Sequence, residues 1–330
     1  MVQTIPARQA VKSFASSGEQ SFLLNQYMHS LSPLEEISPP STNSIRVFLK
    51  RDDLLHPEIQ GNKWRKLAPF IHQMGAEKKG VLSFGGAFSN HLHALANAGK
   101  IYGFPTIGIV RGLSVDLENP TLAQAQRCGM QLFPVSKVDY EALKKVALQD
   151  IFQFIGFQPN TPFLLLPEGG DTSEALVGCT AIAVEIMDQL PADAGHPVYF
   201  CVPAGTGCTA AGMIAGAGAN GRTLVFPAAP YGVDRASILG KLEAAGFGHD
   251  FDFEVVEHIL PKKFAQMTDE LRAFIQAFEA KEGVLLDPVY TSKMMFKLYE
   301  LLAQQFFPNG SCVVALHTGG MQGWAGMHPQ

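Results

Sequence analysis

The sequence predicts an α/β protein built on largely parallel sheets, and three observations predict it. Short β-branched or apolar runs recur along the chain between longer segments with helical spacing, the alternation that builds parallel sheets. Several of those runs end in glycine-rich junctions, where ligands of open α/β sheets bind. The 330 residues are about twice a typical single-domain length, which admits one large α/β unit or two lobes sharing a cleft.

Residues 1–45 read as a polar, Pro/Ser-rich lead-in, with Ser38-Pro39-Pro40-Ser41-Thr42 marking a turn. The first strand is expected at Ile45–Lys50. Further strands are expected at Gly80–Phe84, Thr106–Val110, Met130–Val135, Pro162–Leu166, Val198–Val202, Thr223–Phe226 and Cys312–Leu316. Between them, Asn90–Gly99 and Leu122–Cys128 are Ala/Leu-rich with Gly after or near their ends. Glu174–Leu190 carries its Ala, Val, Ile and Leu on one stripe, and Thr268–Glu282 repeats apolar residues near the helical period. The Ala/Gly stretch Ala210–Ala219 is too short for a membrane segment and reads as a tightly packed helix N-terminus. No linker divides the chain cleanly, so two lobes would mean one inserted into the other.

Composition narrows the function. With 47% hydrophobic and 17% charged residues the chain is too apolar to be disordered. A net charge of −5 without a Lys/Arg stripe argues against a nucleic-acid partner. The five cysteines, Cys128, Cys179, Cys201, Cys208 and Cys312, are odd in number and lack C-x-x-C spacing, so they read as reduced core thiols. Met1–Gln20 lacks the apolar block of a secretory signal, and no run approaches the roughly 18 apolar residues of a membrane span. The expectation is a soluble cytoplasmic protein with no membrane partner.

Five junctions carry candidate chemistry. They are Lys50-Arg51-Asp52-Asp53-Leu54 with Gly61-Asn62-Lys63-Trp64; Ser83-Phe84-Gly85-Gly86-Ala87-Phe88-Ser89-Asn90-His91; Pro167-Glu168-Gly169-Gly170; Pro203-Ala204-Gly205-Thr206-Gly207-Cys208-Thr209; and His317-Thr318-Gly319-Gly320. None fits G-x-G-x-x-G or a Walker A motif, which weakens dinucleotide and nucleoside triphosphate readings. The fourth reads either as a packed strand-to-helix turn or as an anion site, in which main-chain N–H groups meet a phosphate at a helix N-terminus. Lys63, at the start of an apolar helix, is placed where partial desolvation makes an ε-amine nucleophilic. Its neighbours Arg65 and Lys66 read as solvated surface charges. Ser89 and Asn90 read either as helix caps or as hydrogen-bonding groups at a helix tip facing a ligand. His91 and His93 lack a third ligand at helical spacing, so no metal site is expected and packing or surface roles are preferred.

Taken in order, these motifs with Leu286-Asp287-Pro288-Val289-Tyr290-Thr291-Ser292-Lys293 make the chain resemble, from about residue 30 to 325, one family of pyridoxal phosphate enzymes. It is the D-cysteine desulfhydrase and 1-aminocyclopropane-1-carboxylate deaminase family. The resemblance implies the tryptophan synthase β-like fold (fold type II), with two open, twisted, mostly parallel sheets in two lobes. It gives a larger lobe at 1–75 and 167–330 that binds pyridoxal 5'-phosphate, and a smaller α/β lobe at 76–166 inserted into it. It implies that Lys63 is the Schiff-base lysine, that Asn90 hydrogen-bonds the cofactor ring hydroxyl, and that Ala204, Gly205, Thr206, Gly207, Cys208 and Thr209 form the phosphate loop. Ser89 matches the active-site serine, Tyr290 lies beside the ring, and Thr291 falls at the pyridine nitrogen. A homodimer is implied as well.

Within that resemblance Thr291 selects the reaction. Deaminase-type members resemble an arrangement with Glu at this point, which would stabilise a protonated ring nitrogen. Desulfhydrase-type members carry Thr, as here, leaving the nitrogen closer to neutral. One departure concerns the substrate side: relatives often carry a Gly-Tyr-Gly segment where this chain reads Pro261-Lys262-Lys263-Phe264-Ala265. Trp64 and Cys208 also change the pocket lining. The expected activity is a lyase on a small, D-cysteine-like amino acid giving pyruvate, ammonia and hydrogen sulfide. The alternatives are aminocyclopropane-carboxylate deamination or another β-elimination, a cofactor-binding protein without turnover, and an anion- or phosphosugar-binding enzyme that does not use pyridoxal phosphate.

Overall fold

The computed structural model describes residues 31–39, 44–77, 79–229, 232–248, 250–257, 259 and 261–327. Most of the expected lead-in, and most of the Ser38–Thr42 turn, lie outside them. Ten strands run through the described residues: β1 (Leu34–Ile37), β2 (Arg46–Lys50), β3 (Gly80–Gly85), β4 (Thr106–Arg111), β5 (Gln131–Val135), β6 (Phe163–Leu165), β7 (Val198–Ala204), β8 (Arg222–Pro227), β9 (Phe253–Val255) and β10 (Cys312–Leu316). The helices are α1 (Asn62–Glu77), α2 (Asn90–Tyr102), α3 (Pro120–Arg127), α4 (Lys137–Leu143), α5 (Leu148–Ile155), α6 (Ser173–Gln189), α7 (Cys208–Ala217), α8 (Arg235–Ala244), α9 (Asp269–Glu282) and α10 (Thr291–Ala303). They form two compact units. One comprises the described residues up to Leu55, Gln60–Asn62 and Ser173–Met321; the other comprises His56–Ile59, Lys63–Thr172 and the described residues from Gln322.

The first unit carries a six-stranded sheet in the order β1-β2-β10-β7-β8-β9. Every pairing is parallel except that of β1 with β2. Val47 and Leu49, two apart on β2, share one face with Val313 and Ala315 of β10, and that face packs on Leu286, Met294, Leu298 and Phe307. Phe48, Val314 and Leu316, facing the other way, are also buried. Burial on both faces is the condition of a central parallel sheet. Beside that sheet, α7 lies against α6 at a distance only glycine permits. A Cβ on Gly212 would sit 2.5 Å from Cys179 Cβ, and one on Gly216 would sit 2.1 Å from the Thr180 carbonyl oxygen. This explains the Ala/Gly stretch, whose helix is buried from Cys208 to Ala217.

The second unit carries a four-stranded, fully parallel sheet in the order β5-β4-β3-β6. Leu82 and Phe84 of β3 and Ile107 and Ile109 of β4 pack on Tyr140, Leu143, Ile151 and Phe152 from α4 and α5. Phe84 meets the Tyr140 ring edge-on at 5.6 Å between centroids.

The eight expected strands are present, with ends shifted by up to two residues. Two further strands, β1 and β9, are short: β1 reads LEEI without alternation, and β9 has three residues. The segments that become α4, α5 and α8, and the α10 helix behind the Asp287–Lys293 motif, were not anticipated. Arg65 and Lys66 correct the expectation of solvated charges. Both are buried, and Lys66 Nζ donates to the Gly169 carbonyl at 3.1 Å. All five cysteines are buried, and none is in a disulfide.

Candidate active site

In the first unit, three of the five junctions emerge side by side. Parallel pairing aligns Leu316 of β10 with Lys50 of β2, and Ala315 with Cys201 of β7. The carboxyl ends of β2, β10 and β7 are therefore neighbours, and the segments 51–54, 317–320 and 205–207 leave the sheet at one edge. Gly61 seats on this edge with φ +60, and a Cβ there would fall 1.8 Å from the Thr318 carbonyl oxygen, so only glycine fits. The next residue, Asn62, donates its main-chain N–H to that carbonyl at 3.2 Å and its side-chain amide to Thr209 Oγ1 at 2.9 Å. Lys63 follows directly in the chain.

The fourth junction, Pro203–Thr209, runs from the end of β7 into α7. Ala204 closes β7 and Cys208 opens α7, leaving Gly205–Gly207 as the turn, with Gly207 at φ 87 as the helix N-cap. No side chain caps α7, so its positive end is left to main-chain groups and any anion that approaches. The Tyr290 ring packs on Gly205, 3.1 Å from where a Cβ would stand. A glycine-walled turn, an uncapped ten-residue helix and the Thr209 hydroxyl fit the phosphate of pyridoxal 5'-phosphate.

Tyr290 and Thr291 are held by Asp287, which is fully buried. Its carboxylate accepts the main-chain N–H groups of Val289 at 3.0 Å, Tyr290 at 2.8 Å and Thr291 at 2.6 Å, and so caps α10. The Thr291 hydroxyl accepts the Thr318 N–H at 3.4 Å and lies 3.5 Å from Thr318 Oγ1. His317 fixes the Thr318 turn: Nε2–H donates to the Leu285 carbonyl at 3.0 Å, while Nδ1 accepts the Gly319 N–H at 3.2 Å. Those two bonds set its tautomer.

In the second unit, β3 and β6 pair in parallel, so the junctions 86–89 and 167–170 are neighbours. Ser89 is the N-cap of α2, its Oγ accepting the Leu92 N–H at 3.2 Å. Asn90 opens the helix, and its Oδ1 accepts a bond from the Gln322 amide, which leaves the Nδ2 group as the donor face. His91 lies beneath, with Nε2 2.8 Å from Ser83 Oγ. Burial, helped by the nearby charges of Lys63 and Lys66, holds its imidazole well below the ordinary range, so it is neutral. Trp64 stacks on His56 at 5.0 Å between centroids.

Of the sequence-derived site residues, Ala204–Thr209, Tyr290 and Thr291 thus gather at one edge of the first unit's sheet, while Lys63, Ser89 and Asn90 belong to the second unit. Asp287, His317, Thr318 and Gln322 were not assigned roles from sequence. Asp287 was visible in principle as a capping carboxylate four residues before a helix start. Among the described residues there is no cluster of three or more His, Cys, Asp or Glu able to hold a metal, and no helix long and apolar enough to cross a membrane.

Two mostly parallel sheets, with glycine turns leading from strand ends into helix N-termini, define an open α/β architecture. Residues 25–319 match the model of the pyridoxal-phosphate dependent enzyme family, and the chain belongs to that family. It is 29% identical over 290 residues to a Thermotoga maritima protein named "Putative 1-aminocyclopropane-1-carboxylate deaminase", covering 84% of this chain and 89% of the relative. It is 27% identical over 319 residues to D-cysteine desulfhydrase of Serratia proteamaculans, covering 91% and 94%. In solved structures the fold is shared with an ACC deaminase homologue, at a TM-score of 0.71 and 23% identity over 88% of this chain and 90% of the other. It is also shared with serine racemase of Dictyostelium discoideum, at a TM-score of 0.61 and 14% identity over 96% and 98%.

Proposed function

We propose that this enzyme is a lyase for a small D-cysteine-like amino acid, converting it with water to pyruvate, ammonia and hydrogen sulfide. Lys63 would hold pyridoxal 5'-phosphate through its ε-amine, and the segment Ala204–Thr209 would take the phosphate. Asn90 Nδ2 would donate to the ring hydroxyl, Tyr290 would line the ring, and Thr291 would face the ring nitrogen. When bound, the cofactor supplies an electron sink for the charge left on a substrate carbon that loses its proton.

The chain's own groups perform the remaining work. The Lys63 amine, once the substrate amine has displaced it, takes the α-proton at Nζ; Ser89 Oγ is the second group able to do so. The α2 N-terminus, capped by Ser89, favours the substrate carboxylate by its dipole. The α-carbanion charge expels thiolate from the β-carbon, and water completes release of ammonia and pyruvate.

The observation that carries this reading is Thr291, a neutral hydroxyl, fully buried, which accepts the Thr318 N–H and lies beside the Thr318 hydroxyl. A neutral partner makes a weaker electron sink than a carboxylate would. A weaker sink suffices where the β-substituent is a good leaving group such as thiolate, and disfavours opening of an unactivated cyclopropane. Cytoplasmic location and a homodimeric state complete the proposal; the dimer is supported by the family resemblance, and light scattering at the mass of one chain would refute it.

The test is the absorbance spectrum of the purified protein beside Lys63→Ala, followed by sulfide and pyruvate assays with D-cysteine, L-cysteine and 1-aminocyclopropane-1-carboxylate. A visible band lost in the variant, with both products from D-cysteine, supports the reading. Product from the cyclopropane substrate alone overturns it in favour of the deaminase.

A further inference from the structure

Lys293 is an unusual occupant of its position. It stands in the first turn of α10 with 1% of its surface exposed, and its ammonium donates to three main-chain carbonyls: Ala228 at 2.9 Å, Pro261 at 3.0 Å and Lys263 at 2.7 Å. Three N–H donors meet three acceptors, and among the described residues no carboxylate pairs with the charge. Burial pushes this amine down to about 8. An apolar side chain would avoid the cost of burying an ammonium, so what this lysine accomplishes must lie in the segments it joins.

Those segments form a closed circuit around the Gly205 turn. Ala228 follows β8 and donates its own N–H to the Ala204 carbonyl at 2.9 Å, at the start of the turn. Pro261 and Lys263 belong to the loop that ends in Phe264, whose ring meets Tyr290 edge-on at 5.8 Å between centroids. Tyr290 in turn packs on Gly205. Ala265 adopts φ 54, which is costly for an L-residue, and Pro261, Lys262, Gln266 and Thr268 line a cavity of about 300 Å³. Phe264 is 56% exposed, so burial of its ring does not anchor the loop.

We propose that Lys293 is a positioning residue, clamping the Pro261–Ala265 loop so that Phe264 stands on Tyr290 as an apolar wall of the amino-acid site. That the wall borders substrate rests on the function proposed above; the clamp itself does not. Lys293 touches no reacting atom, and its effect falls on how closely a small side chain is enclosed.

Lys262 and Lys263, both exposed, supply a direct readout, because trypsin cleaves after them only when the loop leaves its seat. The full-length protein is digested with and without cofactor, and cleavage after residues 262 and 263 is followed by mass spectrometry for wild type, Lys293→Met and Lys293→Gln. Lys293→Met should raise the cleavage rate about tenfold, the effect of losing one net hydrogen bond's worth of holding energy, with Lys293→Gln in between. KM for the amino acid should rise with little change in kcat, and the cofactor's visible band should persist. Equal cleavage rates overturn the clamp. Faster cleavage with KM unchanged overturns the positioning role, and failure to form the band in wild type refutes the functional reading while leaving the proteolysis result standing. If Lys293→Met does not fold, Lys293→Gln decides by the same rates.

Discussion

Asp287→Ala should be among the most damaging single changes in the first unit, although the residue touches no expected reacting group. The carboxylate is fully buried and accepts three main-chain N–H bonds at 3.0, 2.8 and 2.6 Å. Hydrogen bonds to a charged acceptor contribute about 1.5–3 kcal/mol each, but bonds that share one acceptor do not add. An exposed helix cap lost to alanine costs about 0.5–2 kcal/mol. The buried site should exceed that range, because the freed N–H groups have no water to turn to, so a loss of about 3–4 kcal/mol is expected. Asp287→Asn keeps an oxygen for Val289 and Tyr290 and turns an N–H toward Thr291, so about half the loss is expected. Urea unfolding of the cofactor-free protein, followed by circular dichroism, measures this, and cofactor titration measures the consequence for Tyr290 and Thr291. An alanine variant within about 1 kcal/mol of wild type would refute the capping argument.

Three further outcomes are expected. Gly216→Ala should force α7 off α6, since its Cβ would stand 2.1 Å from the Thr180 carbonyl oxygen; a cost of about 2 kcal/mol or more is expected for overpacking, visible as a lowered thermal midpoint. Thr209→Val removes the acceptor of the Asn62 amide and a hydroxyl from the proposed phosphate site, so cofactor should bind about tenfold more weakly, measured by equilibrium dialysis. Lys293 has its amine lowered from 10.5 to about 8 by burial. Between those values the unfolded chain holds a proton that the folded chain has released, so this site's contribution to stability rises with pH across that window. Wild type should therefore gain stability relative to Lys293→Met from about pH 8 to pH 10.5 by this linkage, and parallel pH profiles for the two proteins would contradict it.

The sheet architecture was legible because central parallel strands are apolar on both faces, and runs such as Val198–Val202 and Cys312–Leu316 announce themselves without reference to their neighbours. The glycine junctions were legible for a related reason. Gly61 and Gly207 sit where a turn needs positive φ or where another backbone passes close by, and those needs are local to the chain. The edge strands β1 and β9 escape such reading, although β5 and β6, the edges of the other sheet, do not. Strand β1 carries Glu35 and Glu36 on a partly exposed edge, where they pair with Arg51 and Arg46.

Buried charge was the part that sequence could not disclose. Lys66 and Lys293 look like any other lysine in a helix, and the usual reading of a lysine is a solvated one. What reverses that reading is a set of main-chain carbonyls, those of Gly169 for Lys66 and of Ala228, Pro261 and Lys263 for Lys293. A carbonyl carries no side-chain identity, so the acceptors that justify a buried ammonium leave no mark in the amino-acid string. Asp287 shows the same logic with the sign inverted, since its three partners are main-chain N–H groups. The residues that orient this candidate site are thus recognised by which backbone groups the fold leaves unpaired around them, and that is knowable only once the strands and turns are in place.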